Sequence, residues 1–441
     1  MSKKKIVVLA LSLLWGCQVA ISQSTVTLTL EEAIQRGLQH NLGGLLAEAR
    51  IAESEGTLQR RGAALLPRAR IETPVTIQSV NLRAQGISFP GVPEVVGPFT
   101  TYQFRVAADQ PIFDLQLVHA KRAASKQVDV AKKDYEHTRN ELVRDIAGLY
   151  LAAQSASAQV AAAEARVRTA ETLRKLAFDQ RDSGVATGID VVRADVRLSR
   201  ERQSVVVTRN NSRNALLVLA RNLGMSPGTE IVLAETLKKA EIAKPDIDAA
   251  IQQALAQRAD YQSLELQRAS LLEQAQASKA RFLPRLSISG NYGGVGRTFS
   301  SLKGVGLAQA SLQFTLFDRD RQGELKELSA RQQRIERQMS DLRLGVEQEI
   351  RQALLNLESA QEELGVAEAS ASLAAKELEL ATVRFQNGVT NNVEVVNAQD
   401  SLSQAQQDLI IALTRHADAR ISLSYALGGT EQNFRKYLSG R

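Results

Sequence analysis

Large rings and sulfur are scarce in this sequence. Its 441 residues include one cysteine, one tryptophan, nine prolines and only 4% aromatic residues. A single cysteine excludes a disulfide framework and a cysteine-based metal site, and so few rings exclude a core packed around aromatic side chains. No nucleophile elbow, zinc signature or Walker motif occurs, and the four histidines fit no ligand spacing. We therefore expect no enzyme activity, no cofactor and no metal site.

Long hydrophobic runs are also missing beyond the N-terminal segment. No later stretch reaches the roughly 18 uninterrupted apolar residues that a transmembrane helix needs, so none is predicted. The net charge is +7, of which Lys3, Lys4 and Lys5 supply three units. The remainder is too diffuse for a nucleic-acid surface, and no nucleic acid is expected as a partner. The 44% apolar residues are largely Ala, Leu and Val, which is typical of long, closely packed helices.

The first 22 residues have the pattern of a secretory signal peptide. The three lysines are followed by a short apolar stretch over 6–15 and by a small-residue cleavage site ending at Ser22. We therefore predict a signal peptide over 1–22 and an exported mature chain. The segment that ends at Cys17 also resembles a bacterial lipoprotein cleavage box, so lipidation of Cys17 is the alternative.

The remaining chain contains an internal twofold repeat. Early landmarks recur at an offset of 217 residues and later ones at 204, which indicates one insertion of 13 residues in the first copy. The predicted units are a first repeat over 23–224, a linker over 225–246, a second repeat over 247–428 and a C-terminal tail over 429–441. Each repeat is predicted to contain a helix, a β-hairpin, a long helix, a tip turn and a returning helix.

Two windows, at about 68–113 and 285–317, alternate apolar and polar residues with period two. Ten of the 18 Phe and Tyr residues lie in 68–114 and 282–318. We predict one β-hairpin in each window, with loops over 86–98 and 293–306 that are rich in proline or glycine.

Between these windows, apolar residues advance by 4 and 3 positions alternately, a heptad seam with alanine at many positions. The pattern predicts a helix over Leu115–Arg181, roughly 100 Å long. It also predicts shorter returning helices over Ile189–Leu223 and Val393–Leu427.

Four strands cannot close a barrel, and an open sheet with an apolar face would leave its edges unpaired in lipid. Three copies would supply 12 strands, a number within the range of outer-membrane barrels. The predicted fold class is therefore an α+β membrane protein. It combines long antiparallel coiled-coil helices, forming a helical barrel, with β-hairpins that contribute to a trimeric 12-stranded outer-membrane β-barrel.

The two tip turns carry the most specific family resemblance. Arg181-Asp182-Ser183-Gly184-Val185 and Arg384-Phe385-Gln386-Asn387-Gly388-Val389 each precede a returning helix. These segments, and the repeated architecture, resemble the TolC family of outer-membrane efflux proteins. The resemblance implies a homotrimer in outer-membrane lipid, with a periplasmic helical tunnel. It also implies two partners, a periplasmic adaptor (membrane fusion) protein and an inner-membrane transporter.

The resemblance also implies which residues act. Adaptor docking is expected at six tip positions: Arg181, Gly184, Val185, Arg384, Gly388 and Val389. The alternative for the two glycines is a purely structural role, in which they only end helices. Asp190 and Glu394 occupy equivalent positions and are expected to line the tunnel constriction. The alternative is a purely structural role as first-turn acids that cap their helices. Because Thr390 replaces a basic residue of the family, the acids are predicted to be unpaired and to attract cations.

Two functions remain open on the sequence. The leading one is a passive export conduit of a tripartite efflux or type I secretion system. The alternative is a trimeric structural or adhesive stalk anchored in the outer membrane. The duplication favours the conduit, because two hairpins within two antiparallel helix pairs form a continuous lumen, whereas a stalk needs only one coiled coil and one anchor.

Overall fold

The computed structural model describes residues 25–88, 90–240, 245–390 and 392–438. The predicted signal peptide over 1–22 and Cys17 lie outside these ranges. Among the helices of the described residues, none has the length and apolar character needed to cross a bilayer.

The first half of the chain comprises, in order, β1 (Thr25–Leu28), α1 (Leu30–His40), α2 (Leu42–Ala63), β2 (Arg68–Glu72), β3 (Val75–Asn81), β4 (Val95–Phe113), α3 (Leu115–Asp182) and α4 (Gly188–Asn222). The second half comprises β5 (Glu230–Leu233), α5 (Ile247–Gln257), α6 (Ala259–Lys279), β6 (Arg285–Gly296), β7 (Lys303–Gln313), α7 (Asp320–Gln386), α8 (Asn392–Ala426) and α9 (Thr430–Leu438). The long and returning helices therefore lie within one or two residues of their predicted bounds.

The long helix α3 is the centre of the helical part. It packs against α2, α4, α6 and α8, while α7 packs against α6 and α8. Its start is set by Asp114, whose carboxylate accepts a hydrogen bond from the backbone N–H of Leu117 at 3.1 Å. The start of α2 meets the end of α4 along α3, where the Asn41 side chain donates to the carbonyl of Asn222 at 3.3 Å.

Small side chains line the buried seams of both long helices. On α7, buried alanines recur every seven residues, at Ala353, Ala360, Ala367, Ala374 and Ala381. On α3, the same spacing joins Ala163, Ala170 and Ala177. Because alanine adds only a methyl group, neighbouring helix backbones approach closely along these seams.

The linker and the tail contain structure that the sequence patterns did not predict. Within 225–246, β5 pairs in parallel with β1, and the tail forms α9. Arg139 of α3 donates to Glu431 of α9 at 2.7 Å. These elements form a small collar halfway along α3. The strands were missed because each has only four residues, too short for a clear period.

The sheet has the order β2-β4-β6-β7, and β3 also pairs with β4, all antiparallel. Glycines predicted to form a loop instead extend β6 and β7, because strand packing there leaves no room for a side chain. A Cβ at Gly293, for example, would lie 1.9 Å from the carbonyl oxygen of Phe104. Conversely, β7 ends at Gln313 rather than near 317, since its partner strand begins at Arg285.

One buried hydroxyl joins the collar to α3, which suggests a test of its contribution to stability. Tyr150 on α3 is fully buried, and its hydroxyl donates to the carbonyl of Leu28 in β1 at 2.9 Å. Burial raises the pKa of this phenol to about 12, so it remains a donor at neutral pH.

We expect Tyr150→Phe to lower the free energy of unfolding by about 1 kcal/mol, the typical contribution of one hydrogen bond. Thermal unfolding followed by circular dichroism in detergent measures the change. Tyr261→Phe, at a half-buried position on α6, is the matched control and is expected to be near neutral. Equal melting temperatures for both variants would contradict the role of the hydroxyl.

Candidate functional site

The ends of α3 and α7 reverse the chain through the same backbone motif. The N–H of Gly184 donates to the carbonyl of Arg181 at 3.0 Å, and that of Val185 donates to Gln180 at 2.9 Å. In the second reversal, Gly388 donates to Phe385 and Val389 to Arg384, both at 3.0 Å. This is the Schellman pattern, which places glycine in the left-handed region. Gly184 has φ +73° and Gly388 has φ +69°, so both glycines have a structural role.

The two reversals lie side by side. Gln180 on α3 is buried, and its side-chain amide donates to the carbonyl of Phe385 on α7 at 2.8 Å. A Cβ at Gly388 would lie 3.6 Å from the Val185 side chain. Leu173, Phe385 and Val395 belong to one buried cluster behind the turns. The structure therefore brings the two predicted docking turns into one surface.

That surface is apolar and exposed. Val185 is 61% exposed and Val389 is 68% exposed. Phe178, Ile189 and Val192 add further exposed apolar area from α3 and α4. We call these five residues the tip surface. Sequence reasoning missed Phe178, Ile189 and Val192 as docking residues, although their position within eight residues of Gly184 was the available signal.

The two arginines of the predicted docking set have different surroundings. Arg181 stacks over the Phe178 ring at 4.2 Å and forms an ion pair with Asp182 at 2.6 Å. Arg384 instead lies 3.3 Å from the carboxylate of Glu394 on α8. Arg181 is thus part of the exposed tip, whereas Arg384 belongs with a predicted constriction residue.

Asp190 caps the start of α4. The N–H of Thr187 donates to its carboxylate at 2.9 Å and the Thr187 hydroxyl donates at 2.6 Å. The hydroxyl hydrogen bond, above all, lowers the pKa of Asp190 below its ordinary value. Arg193 also lies 3.7 Å away. In the single protomer this carboxylate is largely buried.

Glu394 holds the equivalent place on α8 but is half-exposed. Its partners are the Thr390 hydroxyl, which donates to it, and Arg384. The expectation that these acids lack basic partners is therefore wrong: position 390 is indeed uncharged, but Arg193 and Arg384 supply the cations from other positions.

A buried charge network lies above the tips. Arg166 on α3 and Arg197 on α4 both bind Glu201, at 3.1 Å and 2.8 Å. Arg197 also pairs with Asp400 and so joins α4 to α8. One nitrogen each of Arg166 and Arg197 is buried without a hydrogen bond.

Sequence periodicity did not reveal this network, but folding the chain back at Gly184 does. Aligning α3 and α4 antiparallel about Gly184 places opposite charges at similar heights. Three further α3–α4 ion pairs fit the same alignment: Arg174–Asp195, Glu171–Arg202 and Glu164–Arg209.

Among the described residues, no group of three or more His, Cys, Asp or Glu is placed to hold a metal ion.

Comparison with known proteins identifies relatives of this architecture. The profile of the family described as outer membrane efflux protein matches residues 33–225 and 250–429. The pyoverdine export outer membrane protein OpmQ of Pseudomonas putida is 23% identical over 407 residues, covering 90% of this chain and 84% of that protein.

Solved structures share the fold. VceC from Vibrio cholerae has a TM-score of 0.75 at 20% identity, over 91% of this chain and 96% of that one. The open state of the Neisseria gonorrhoeae MtrE outer membrane channel has a TM-score of 0.75 at 18% identity, over 91% of this chain and 89% of that one. At this identity the likeness concerns the fold alone.

The capping role of Asp190 can be tested by substitution, with an acid near the C-terminal end of α3 as the control position. We expect Asp190→Asn to lower the local stability of the first turns of α4 by about 0.5–1 kcal/mol, since a carboxylate there caps the helix and complements its dipole. Because the pKa is lowered in the folded chain, this stabilisation is present at neutral pH and is lost as the pH falls through that lowered pKa.

Hydrogen exchange of the amides in 187–194 measures the effect. Asp179→Asn is the matched control, because this exposed acid lies near the C-terminal end of α3, where negative charge is unfavourable. That variant should be neutral or slightly stabilising. Equal exchange rates in both variants would contradict capping by Asp190.

Proposed function

The chain belongs to the outer membrane efflux protein family, as its resemblance to TolC predicted, and from this premise we propose that it is the outer-membrane channel of a tripartite efflux or type I secretion system. In this role the protein is a passive conduit, delivered to the outer membrane by its signal peptide. One observation carries the proposal: a sheet with an apolar face and unpaired edges is continuous with helices much longer than a bilayer is thick.

The sheet supports assembly as a homotrimer. Along its width, β2 and β3 occupy successive parts of one strand position beside β4, followed by β6 and β7. One protomer thus provides four strand positions, and three protomers would close a barrel of 12 strands without free edges. Exposed apolar side chains such as Ile71, Phe104 and Ile288 would then contact outer-membrane lipid.

The helices support a tunnel below that barrel. The order helix, helix, strands, long helix, returning helix occurs in both halves of the chain, as expected for an internal twofold repeat. The buried alanines at seven-residue spacing suit antiparallel coiled-coil packing. Three copies would arrange twelve helical segments around one axis, with α3 and α7 crossing the periplasm.

The tip surface supports docking to a periplasmic adaptor protein, through which an inner-membrane transporter would be reached. It lies at the far end of α3 from the sheet, and exposed apolar side chains there suit a partner helix. Val185, Val389 and Arg181 present side chains for contact, whereas Gly184 and Gly388 set the backbone path. Arg384 would act indirectly, through its ion pair with Glu394.

Asp190 and Glu394 are proposed to line the constriction at the same end. Threefold symmetry would place three copies of each carboxylate around the axis. Their partners Arg193 and Arg384 reduce the mutual repulsion of these acids, so the ring would be a mixed one of acids and arginines.

The first test concerns assembly. We expect the detergent-extracted protein to be a trimer by native mass spectrometry and to form pores in planar bilayers, because closure of the sheet requires three chains. A stable monomer without conductance would overturn the proposal.

The second test concerns the tips. We expect Gly184→Val and Gly388→Val to abolish export while trimers remain in the membrane, because a side chain at positive φ strains the turn by about 1–2 kcal/mol and alters the backbone path of the docking surface. Co-purification with the adaptor and export from a deletion strain are the measurements.

Gly365→Val is the matched control, since Gly365 is exposed within α7 and a Cβ there would meet open space. Wild-type export by both tip variants would refute docking at the tips. Loss of the trimer would limit the two glycines to helix termination.

A further inference from the structure

The sheet carries an imbalance of charge. Residues 68–113 and 285–313 include seven basic side chains and three acidic ones. Each of these acids has an arginine partner: Glu72 and Asp109 both pair with Arg70, and Glu94 pairs with Arg83. The excess positive charge is therefore not compensated within the sheet.

Apart from Arg70 and Arg83, the sheet has five basic side chains: Arg68, Arg105, Arg285, Arg297 and Lys303. Within the described residues, none of their side chains forms an ion pair or a hydrogen bond. The Nε atoms of Arg105 and Arg285 are moreover shielded from solvent without a partner. A guanidinium group in this state gains free energy when an anion reaches it, since charge-assisted hydrogen bonds are stronger than neutral ones.

The strand register places four of these bases on one face. Arg68 is opposite Asp109, and Glu72 is opposite Arg105. Arg285 and Lys303 follow the same alternation on β6 and β7. The opposite face carries Ile71, Phe104, Val106, Ile288, Tyr292 and Leu312, all exposed in the protomer. Since the apolar face meets lipid in a membrane barrel, the basic face lines the lumen.

The bases are spread over the height of the barrel. Lys303 lies level with Gln103 of β4, Arg105 follows, Arg68 lies level with Asp109, and Arg285 lies just beyond Phe113. At about 3.3 Å per residue, these levels cover roughly 35 Å along the strands, and somewhat less along the axis of a barrel with tilted strands. An anion entering at one end thus meets successive positive groups along the wall.

We propose that Arg68, Arg105, Arg285 and Lys303 make the barrel lumen electropositive. The channel then favours small organic anions as its exported solutes. The inference rests on the proposed channel function and names its substrate class. Walls of low dielectric constant focus the field of such charges into the lumen and raise the local concentration of counter-ions. The tip differs, because there Arg193 pairs with Asp190 and Arg384 pairs with Glu394. Among the residues that the structure describes, the four bases on this face of the sheet have no such carboxylate partners.

Ion selectivity of the reconstituted full-length trimer tests the proposal. The triple change Arg68→Gln, Arg105→Gln and Arg285→Gln removes nine charges from a trimer. We expect the permeability ratio of chloride to potassium to fall by about threefold or more at 0.1 M salt, where the Debye length is about 10 Å. At 1 M salt, where it is about 3 Å, the difference should largely disappear. Repeating the measurement with potassium benzoate extends it to an organic anion.

Two further variants separate charge from structure. The matched triple change to lysine keeps the charge and should keep the wild-type ratio. The double change Glu72→Gln and Asp109→Asn releases Arg70 and should raise the ratio, a gain that damage to the fold would not produce. The double change Asp190→Asn and Glu394→Gln removes the acids at the tip end of the tunnel and serves as a reference. In this background, the sheet variants should change the permeability ratio by the same factor as in the wild type.

The outcomes distinguish this inference from the channel function. Pores of normal conductance with the same permeability ratio in wild type and in the glutamine variant would overturn the inference and leave the channel standing. Absence of pores in the wild type would overturn the channel function and this inference with it. A lowered ratio in the lysine variant equal to that of the glutamine variant would show a structural effect, which also counts against it.

Discussion

The close approach of helices along the alanine seams is the constraint on which the rest of the structure depends. Each long helix is a single rod of 68 or 67 residues, and in proteins most of the stability of a helix comes from tertiary packing rather than from its intrinsic propensity. Stability comes from side-by-side packing, and alanine keeps the helices close enough for short polar side chains to bridge them. Gln180, for instance, reaches Phe385 only because the two backbones are near each other.

Ion pairs between the helices add to the packing of the small side chains. Where the seams lack bulky apolar groups, ion pairs between antiparallel helices fill the gaps, as in the contact of Arg166 with Glu201. A pair this well buried contributes little net free energy, because removing both charges from water costs about as much as their attraction returns. Its main effect is on register, since sliding one helix past the other would leave buried charge unpaired. The rods are therefore held together by small contacts and aligned by charged ones.

The sequence was informative about the fold where one period runs for many residues. The heptads of α3 and α7 and the alternation in the strands predicted the architecture. Short elements such as β1 and α9 escaped notice because their order depends on distant partners, here Tyr150 and Arg139. The glycines of β6 were misread for a related reason: glycine indicates a turn locally, whereas at Gly293 it allows two strands to come close. At the tips, the sequence located the glycines and the acids but not their partners, since Arg384 and Glu394 meet only once the chain has reversed.

The closure of both reversals by backbone groups has a consequence for how such proteins diverge. The N–H and carbonyl groups that close the turns at Gly184 and Gly388 belong to every amino acid except proline, which lacks the N–H. The fold therefore requires glycine at 184 and 388 and excludes only proline at the neighbouring donor positions. The exposed neighbours Val185 and Val389 can change identity without loss of the turn. A lineage can therefore replace the surface at the end of its rods while the scaffold behind it is inherited intact.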